Sequence, residues 1–353
     1  MITYVRLQYF RSYTDGSFEF DPGVNIIVGP NASGKTTIIE AILLALQGNS
    51  FKSSDTELRK SESEWTRVDV GTQADSRVVK ISDDTKKDAT LKIFEIEGNT
   101  YKRLSRERSI PVVLFEPNHL LLFNGSPELR RSFLDNLIAQ TVPGYTTVLR
   151  HYKRVLAQRN ALLKQPTKPS SEQLFVWNLR LSELAGKIVF ERQSAIAKFN
   201  QAMSKIYSEI SGTPTTITFI YNSRIPTETY ETSFLQVLER TLDRDTILGF
   251  TSHGPHREDV TMHINGKPAG DVASRGEIRS LVLVLKMLEA QFIEEARGKR
   301  PILLFDDVFS ELDGKRRQAL VAFLKPYQSL ITTTDADVVI DHFTDQARII
   351  ALQ

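Results

Sequence analysis

Residues 25–42, NIIVGPNASGKTTIIEAI, decide how the rest of this sequence is read. A short apolar run, VNIIV, ends at Gly29, a tight polar turn follows, and Lys35, Thr36 and Thr37 open a segment with helical apolar spacing, TTIIEAILLAL. Gly29, Pro30, Asn31, Ala32, Ser33, Gly34, Lys35 and Thr36 match G-x-x-x-x-G-K-S/T in the strand-before, helix-after setting that the pattern requires. In such a turn backbone N–H groups and the helix N-terminus surround the β- and γ-phosphates, the lysine neutralises their charge, and the threonine hydroxyl ligates Mg²⁺. A nucleoside triphosphate is the expected ligand; an ordinary turn is the bland alternative.

Two further stretches complete a nucleotide site. In PILLFDDVFSELD, Ile302 to Phe305 suit a buried parallel strand ending at Asp306 and Asp307. Asp306 is the candidate to hold Mg²⁺ through water, and Asp307 to orient or deprotonate the attacking water, against the alternative of an Asp pair that caps the next helix. In ASRGEIRSLVLVLKMLEAQF, Ser274 and Gly276 precede a helix with one apolar stripe: Ile278, Leu281, Val282, Leu285 and Leu288. Read as more than a serine N-cap, this is a second anion site. It stands about 30 residues before the Asp pair and is hard to bring onto the same nucleotide within one subunit, so it would serve a nucleotide held by a second copy.

Composition sets the outer bounds. With 353 residues, 41% hydrophobic and 25% charged, the chain has material for a full core and a second lobe in a soluble globular protein. Lysine and arginine number 45 against 43 acids, so a polyanionic partner would have to meet a local patch. The absence of cysteine excludes disulfide scaffolds and thiolate metal sites. MITYVRLQYF lacks the apolar run and cleavage site of a leader, and Lys286 interrupts the most apolar stretch, SLVLVLKMLEA, well short of a membrane span. The expected location is cytoplasmic, with no membrane partner.

The expected architecture is α/β: a P-loop ATPase head with an antiparallel β subdomain and an inserted helical lobe. Residues 1–115 carry short alternating strands such as RVVKISD and the hairpin KIFEIEGNTYKR, with its turn at Gly98 and Asn99. In 116–245 the period changes from two to seven. Tyr145, Val148, Leu149, Tyr152, Val155, Leu156, Leu162 and Leu163 keep heptad spacing apart from Arg159, and after the breaker QPTKPSS a second set runs from Leu174 to Phe199. This predicts an antiparallel hairpin arm whose first helix reaches roughly 30 Å; two ordinary helices of a mixed domain are the alternative. Residues 246–353 return to the head, where TMHINGKPAGDV places Asn265 and Gly266 at a type I′ turn.

The order of phosphate loop, long insertion, S-x-G-x-x-R, DD strand and S-E-L-D resembles the ABC-type ATPase heads of SMC and Rad-type DNA repair proteins. More closely it resembles the RecF family of bacterial recombination mediators, over LQYFRSY, GPNASGKT, LLFNGSPELRRSFLD, YKRVLAQRNALLK, TSHGPHRED, ASRGEIRSLVLVLKMLE, LLFDDVFSELD and ITTTD. The resemblance implies an ATP sandwich between two subunits. Gly29 to Thr37 bind ATP in cis, Arg11 touches its phosphates, Ser274, Arg275, Gly276 and Glu277 close on the γ-phosphate in trans, and Asp313 reaches across the interface. Lys35, Asp307 and Thr334 serve catalysis, Thr334 standing where many ABC enzymes carry histidine, which implies slow turnover. Ala32 replaces a usual glycine, and Arg275 and Glu277 stand where glutamines are common. The implied role is ATP-driven dimerisation on single- or double-stranded DNA, release by hydrolysis, and recombinase loading at gapped DNA with RecR and RecO. The rival readings are a transporter's nucleotide-binding subunit and a small-molecule P-loop kinase.

Basic residues cluster in YKRLSRER from Tyr101, LRHYKR from Leu149 and GKRR from Gly314; each is a phosphate-contact candidate or a solvated surface. No base-reading motif accompanies them, so backbone recognition without a sequence code is expected. In GPHRED, His256 and Arg257 either contact DNA or lock a turn.

Overall fold

Period-two alternation at the N-terminus produces a six-stranded antiparallel sheet, and short apolar runs produce a separate five-stranded parallel one. The computed structural model describes residues 1–51, 54–84, 89–308, 312–334 and 347–352. The chain forms two compact units, Met1–His119 with Lys286–Gln353, and Leu120–Leu285.

In the first unit, β1 (Ile2–Phe10) and β2 (Tyr13–Glu19) make a hairpin, β3 (Val24–Val28) leads to α1 (Lys35–Gln47), and β4 (Trp65–Thr72), β5 (Ser76–Asp84), β6 (Ala89–Ile96) and β7 (Asn99–Tyr101) follow. The antiparallel order is β2-β1-β4-β5-β6-β7. Ile96 pairs with Asn99, so the β6–β7 turn falls on Glu97 and Gly98, both at positive φ, one residue before the expected place. The parallel sheet is built from β3, β8 (Val112–Phe115), β12 (Ile302–Asp306), β13 (Ser329–Thr333) and β14 (Ala347–Ala351), in the order β14-β3-β13-β12-β8. Strands β12 and β13 are buried at every position, as continuous apolar runs between covered faces should be. Helix α1 is apolar nearly all round and packs in one core with Val5, Leu7, Val68 and Val79 of the antiparallel sheet and Leu304 and Leu330 of the parallel one.

The second unit contains α2 (Pro127–Thr141), α3 (Tyr145–Leu163), α4 (Ser171–Ser211), β9 (Ile217–Asn222), α5 (Tyr230–Arg240), α6 (Leu242–Leu248), β10 (Asp259–Ile264), β11 (Lys267–Pro268) and α7 (Ala269–Val272). Helix α8 (Arg275–Arg297) carries the chain back to the first unit, where α9 (Gly314–Leu324) lies. Helices α3 and α4 pack together as the heptads predict. Ser170 caps α4 in a reciprocal box with Gln173, and at 41 residues α4 runs about 60 Å, past the expected end at Phe199.

Two boundaries differ from the sequence reading. Residues 246–285, expected with the C-terminal half of the head, lie in the second unit because β10 pairs along its whole length with β9, from Asp259↔Asn222 to Ile264↔Ile217. The first boundary falls after His119, since β8 completes the parallel sheet beside β12. The Asn265–Gly266 turn has positive φ at both residues, as a type I′ turn demands. Among the described residues no helix is long and apolar enough to cross a membrane.

Candidate nucleotide site

Parallel pairing aligns the C-terminal ends of β8, β12, β13 and β3 along one sheet edge, where ligands of α/β folds bind. The phosphate loop leaves β3 there. A Cβ on Gly29 would lie 2.6 Å from Ser33 Oγ, and one on Gly34 (φ +94°) would lie 2.6 Å from the Tyr13 hydroxyl, so both glycines are required by close approach. Ala32 takes φ 66°, a left-handed conformation that costs an L-residue roughly 1–2 kcal/mol, which gives the departure from glycine a physical meaning. Ser33 Oγ is buried without a hydrogen-bond partner. Lys35 Nζ donates to Gly29 O at 2.7 Å and Pro30 O at 2.8 Å, which curls the ammonium into the loop. Pro30 and Asn31 are exposed at its tip, and Thr37 is half-buried on the first turn of α1.

The loop meets the acid strand directly. Thr36 Oγ1 donates to Asp306 Oδ1 at 2.7 Å, Thr332 Oγ1 lies 3.1 Å from the same oxygen, and Asp307 N–H donates to Thr332 Oγ1 at 2.9 Å. Asp306 is buried. Its carboxylate therefore faces the loop and does not cap a helix; the cap of α9 is Asp313, which accepts from Arg316 N–H at 3.0 Å and pairs with the Arg316 guanidinium. Asp307 holds φ 53°, a strained setting of the kind that collects at active sites. A hydroxyl and a carboxylate 2.7 Å apart are hard oxygen donors and fit Mg²⁺, which takes few protein ligands and keeps waters and phosphate oxygens for the rest. Thr334 is exposed just beyond β13, and because Gly29 N–H bonds Thr333 O at 3.4 Å it stands at the base of the loop.

Arg11 is tied to the helix that follows the loop. Its guanidinium makes a two-pronged pair with Glu40 of α1, both distances 3.0 Å, and Glu40 is buried. Arg11 itself sits at φ 54° with its N–H on Leu58 O. Its neighbour Tyr13 donates to Ser33 O at 3.4 Å, and burial pushes its hydroxyl pKa up to about 12. The Phe10–Tyr13 turn is thus fastened to both the loop and its helix.

Ser274 forms a capping box at the start of α8. Its N–H and Oγ both donate to Glu277 Oε2 at 2.8 Å, and its Oγ accepts from Glu277 N–H at 3.2 Å. Ser274 and Arg275 are exposed and Gly276 is half-buried. Ser310 and Glu311 of SELD and Asp335 of ITTTD lie outside the described residues.

Sequence reasoning missed three residues here. Glu116 follows Phe115, the last residue of β8 and the partner of Phe305, and its N–H donates to His119 Nδ1 at 3.0 Å. The signal was VVLFE, an apolar run ending in an acid like ILLFD. Thr332 and Glu40 gave no local signal, since both act through partners distant in sequence. GPHRED is tied into its own unit by side-chain contacts, with Arg257 exposed. His256 Nε2–H donates to Thr251 O at 3.1 Å and its Nδ1 accepts from Tyr152 OH at 2.6 Å; burial brings its pKa down to about 4. Arg257 stacks on Phe250, Glu258 accepts from Tyr221, Ser223 and Tyr230, and Asp259 pairs with Arg130.

A family profile described as an AAA domain matches residues 4–139. The DNA replication and repair protein RecF of Lachnoclostridium phytofermentans is 32% identical over 349 residues, 98% of this chain and 96% of its own. A solved structure of the recombination mediator protein RecF-ATP in the RecFOR pathway aligns with TM-score 0.84 at 29% identity, covering 95% of this chain and 92% of that one. An Smc head bound to the C-winged helix domain of ScpA aligns over 97% of this chain and 92% of its own with TM-score 0.52 at 16% identity, a likeness of fold alone. By identity across nearly its whole length, this chain belongs to the RecF family of DNA replication and repair proteins.

Proposed function

We propose that the chain is an ATP-dependent DNA-binding mediator of recombinational repair, which closes as a dimer on DNA when ATP binds and is released by slow hydrolysis. The observation that carries this reading is the Thr36 Oγ1–Asp306 Oδ1 contact of 2.7 Å, which joins the phosphate loop to the acid strand. The solved RecF-ATP relative supports ATP as the nucleotide, and its RecFOR pathway supports RecO and RecR as partners.

In this reading the backbone N–H groups of the loop from Gly29 to Thr37, Pro30 apart, and the buried Ser33 hydroxyl receive the phosphates, and Lys35 exchanges its two loop carbonyls for phosphate oxygens. Thr36 and Asp306 hold Mg²⁺, which when bound offsets phosphate charge. Asp307 orients and deprotonates water, Glu40 holds Arg11 for the phosphates, and Thr334 stands at the γ end without a histidine's donor strength. Ser274 to Glu277 and Asp313 of a second copy complete each pocket. There the γ-phosphate competes with Glu277 for the Ser274 hydroxyl, which favours slow turnover.

Light scattering after gel filtration, with ATP and a DNA duplex, tests the proposal. Wild-type protein is expected to dimerise transiently, and Asp307→Asn to hold the ATP dimer on DNA at least about tenfold longer, in keeping with loss of a general base. A monomer under every nucleotide condition would return the kinase reading, and ATP dimers indifferent to DNA the transporter reading.

A further inference from the structure

The three basic stretches differ in what their cations already hold. In Tyr101–Arg108, Arg106 donates to Ala296 O at 3.2 Å and the Arg108 guanidinium lies 4.2 Å over the Tyr101 ring, which leaves two exposed cations, Lys102 and Arg103, without a hydrogen bond or ion pair among the described residues. In Gly314–Arg317, Arg316 closes on Asp313. On α3, by contrast, Arg150 reaches only Thr147 Oγ1 at 3.3 Å, and Lys153 and Arg154 have no hydrogen bond or ion pair among the described residues. All three are exposed.

The helix itself offers them no counter-charge. Its 19 residues, YTTVLRHYKRVLAQRNALL, include no Asp or Glu, and its fourth strong cation, Arg159, points inward to Asp245. Tyr145, Tyr152, Val155, Arg159 and Leu163 form the buried face. At 3.6 residues per turn, Arg150, Lys153 and Arg154 fall within an arc of about 100° on the opposite side. Many other arginines of the chain are neutralised locally, among them Arg6 by Asp15, Arg67 by Asp69, Arg130 by Asp259 and Arg192 by Asp135, while Arg224, Arg240 and Arg244 are exposed singly on other segments. In a chain with 45 basic and 43 acidic residues, this face is a local excess of unpaired charge.

We propose that this face of α3 is where the phosphate backbone of duplex DNA lies. The inference rests on the DNA-binding reading above and adds its location and the form of DNA. Arg150 and Arg154 are one turn apart, about 6 Å along the axis, which spans roughly two phosphates of one strand at about 3.4 Å each. Single strands are bound through exposed aromatic platforms, and this face has none, because Tyr145 and Tyr152 are buried. The contact reads no bases, since lysine and arginine on phosphate carry no sequence information.

Duplex affinity measured against salt concentration, with a mixed-sequence duplex and an ATP analogue, decides it. The triple variant Arg150→Gln, Lys153→Gln, Arg154→Gln is expected to lower the slope of log K on log salt by about 2 to 3 and to weaken binding at least tenfold at about 0.1 M salt. Arg150→Lys with Arg154→Lys should keep most of the slope, and Lys102→Gln with Arg103→Gln, at exposed sites of another stretch, should change it by less than about 0.5. An unchanged slope in the triple variant, with circular dichroism matching wild type, overturns the location while DNA binding stands. A triple variant that loses single-strand affinity and keeps duplex affinity overturns the choice of duplex. Wild-type protein that binds no duplex at all removes the DNA reading and this inference with it.

Discussion

The unit of residues 120–285 and the phosphate loop treat buried polar groups in opposite ways. In the unit of residues 120–285, Arg159 is fully buried and its nitrogens reach Asn178, Asp245, Thr251 and Leu238 O, while Asp245 also accepts from Ser252. Glu258 there accepts from three hydroxyls. In the phosphate-loop unit, Ser33 Oγ is buried without a partner, Lys35 rests on backbone carbonyls, and Arg11, Ala32 and Asp307 all hold positive φ. A network closed on itself fixes one arrangement and leaves a ligand nothing to satisfy. Orphaned donors and strained backbone are what an incoming phosphate can relieve. The contrast sets a closed network against an open loop.

The largest effect expected from this contrast is on the scaffold side. Arg159→Ala leaves Asp245 as an uncompensated charge at 0% exposure, so it should cost about 3–5 kcal/mol of folding free energy by urea titration, with nucleotide affinity of the folded protein little changed. A neutral outcome would mean that the network is decoration and that closure of hydrogen bonds does not mark scaffold.

On the site side, Glu40→Gln sharpens the comparison. Glu40 is as buried as the scaffold charges, yet its partner Arg11 sits on a strained turn beside the loop. If Glu40 positions Arg11 for phosphate, the variant should raise KM for ATP about tenfold, near 1.4 kcal/mol, with kcat within about twofold and little change in stability. Glu40→Asp should recover part of the loss. A loss of stability with unchanged KM would move this pair to the scaffold class.

What was legible beforehand follows the same division. The loop, the acid strand and the hairpin arm could be read because each is a local pattern: fixed glycine spacing, an apolar run ending in acid, a seven-residue period. Arg159 broke that period and read as an exception, since its acid partner lies 86 positions away and only the fold brings Asp245 to it. The placement of β10 failed for a like reason, because a hairpin sequence fixes its turn and not the neighbouring strand that it joins. Arg11 on Glu40 is a contact across 29 positions with no spacing rule to announce it.

The smallest effect tests strain as a mark of the site. Ala32 is exposed, has no packing role for its methyl group, and holds φ 66° in the loop where glycine is usual. Ala32→Gly removes the left-handed penalty of roughly 1–2 kcal/mol but adds chain entropy of about 0.5–1 kcal/mol to the unfolded state, so a net gain of about 0–1.5 kcal/mol is expected. Differential scanning calorimetry on the protein without nucleotide reads it as a small rise in Tm. With ATP present the rise should shrink, because bound phosphate already stabilises the loop in its left-handed form and glycine gives up preorganisation that alanine keeps. A fall in Tm without nucleotide would show that the strain at Ala32 is compensated by its surroundings, and positive φ would then lose its standing as a sign of the site.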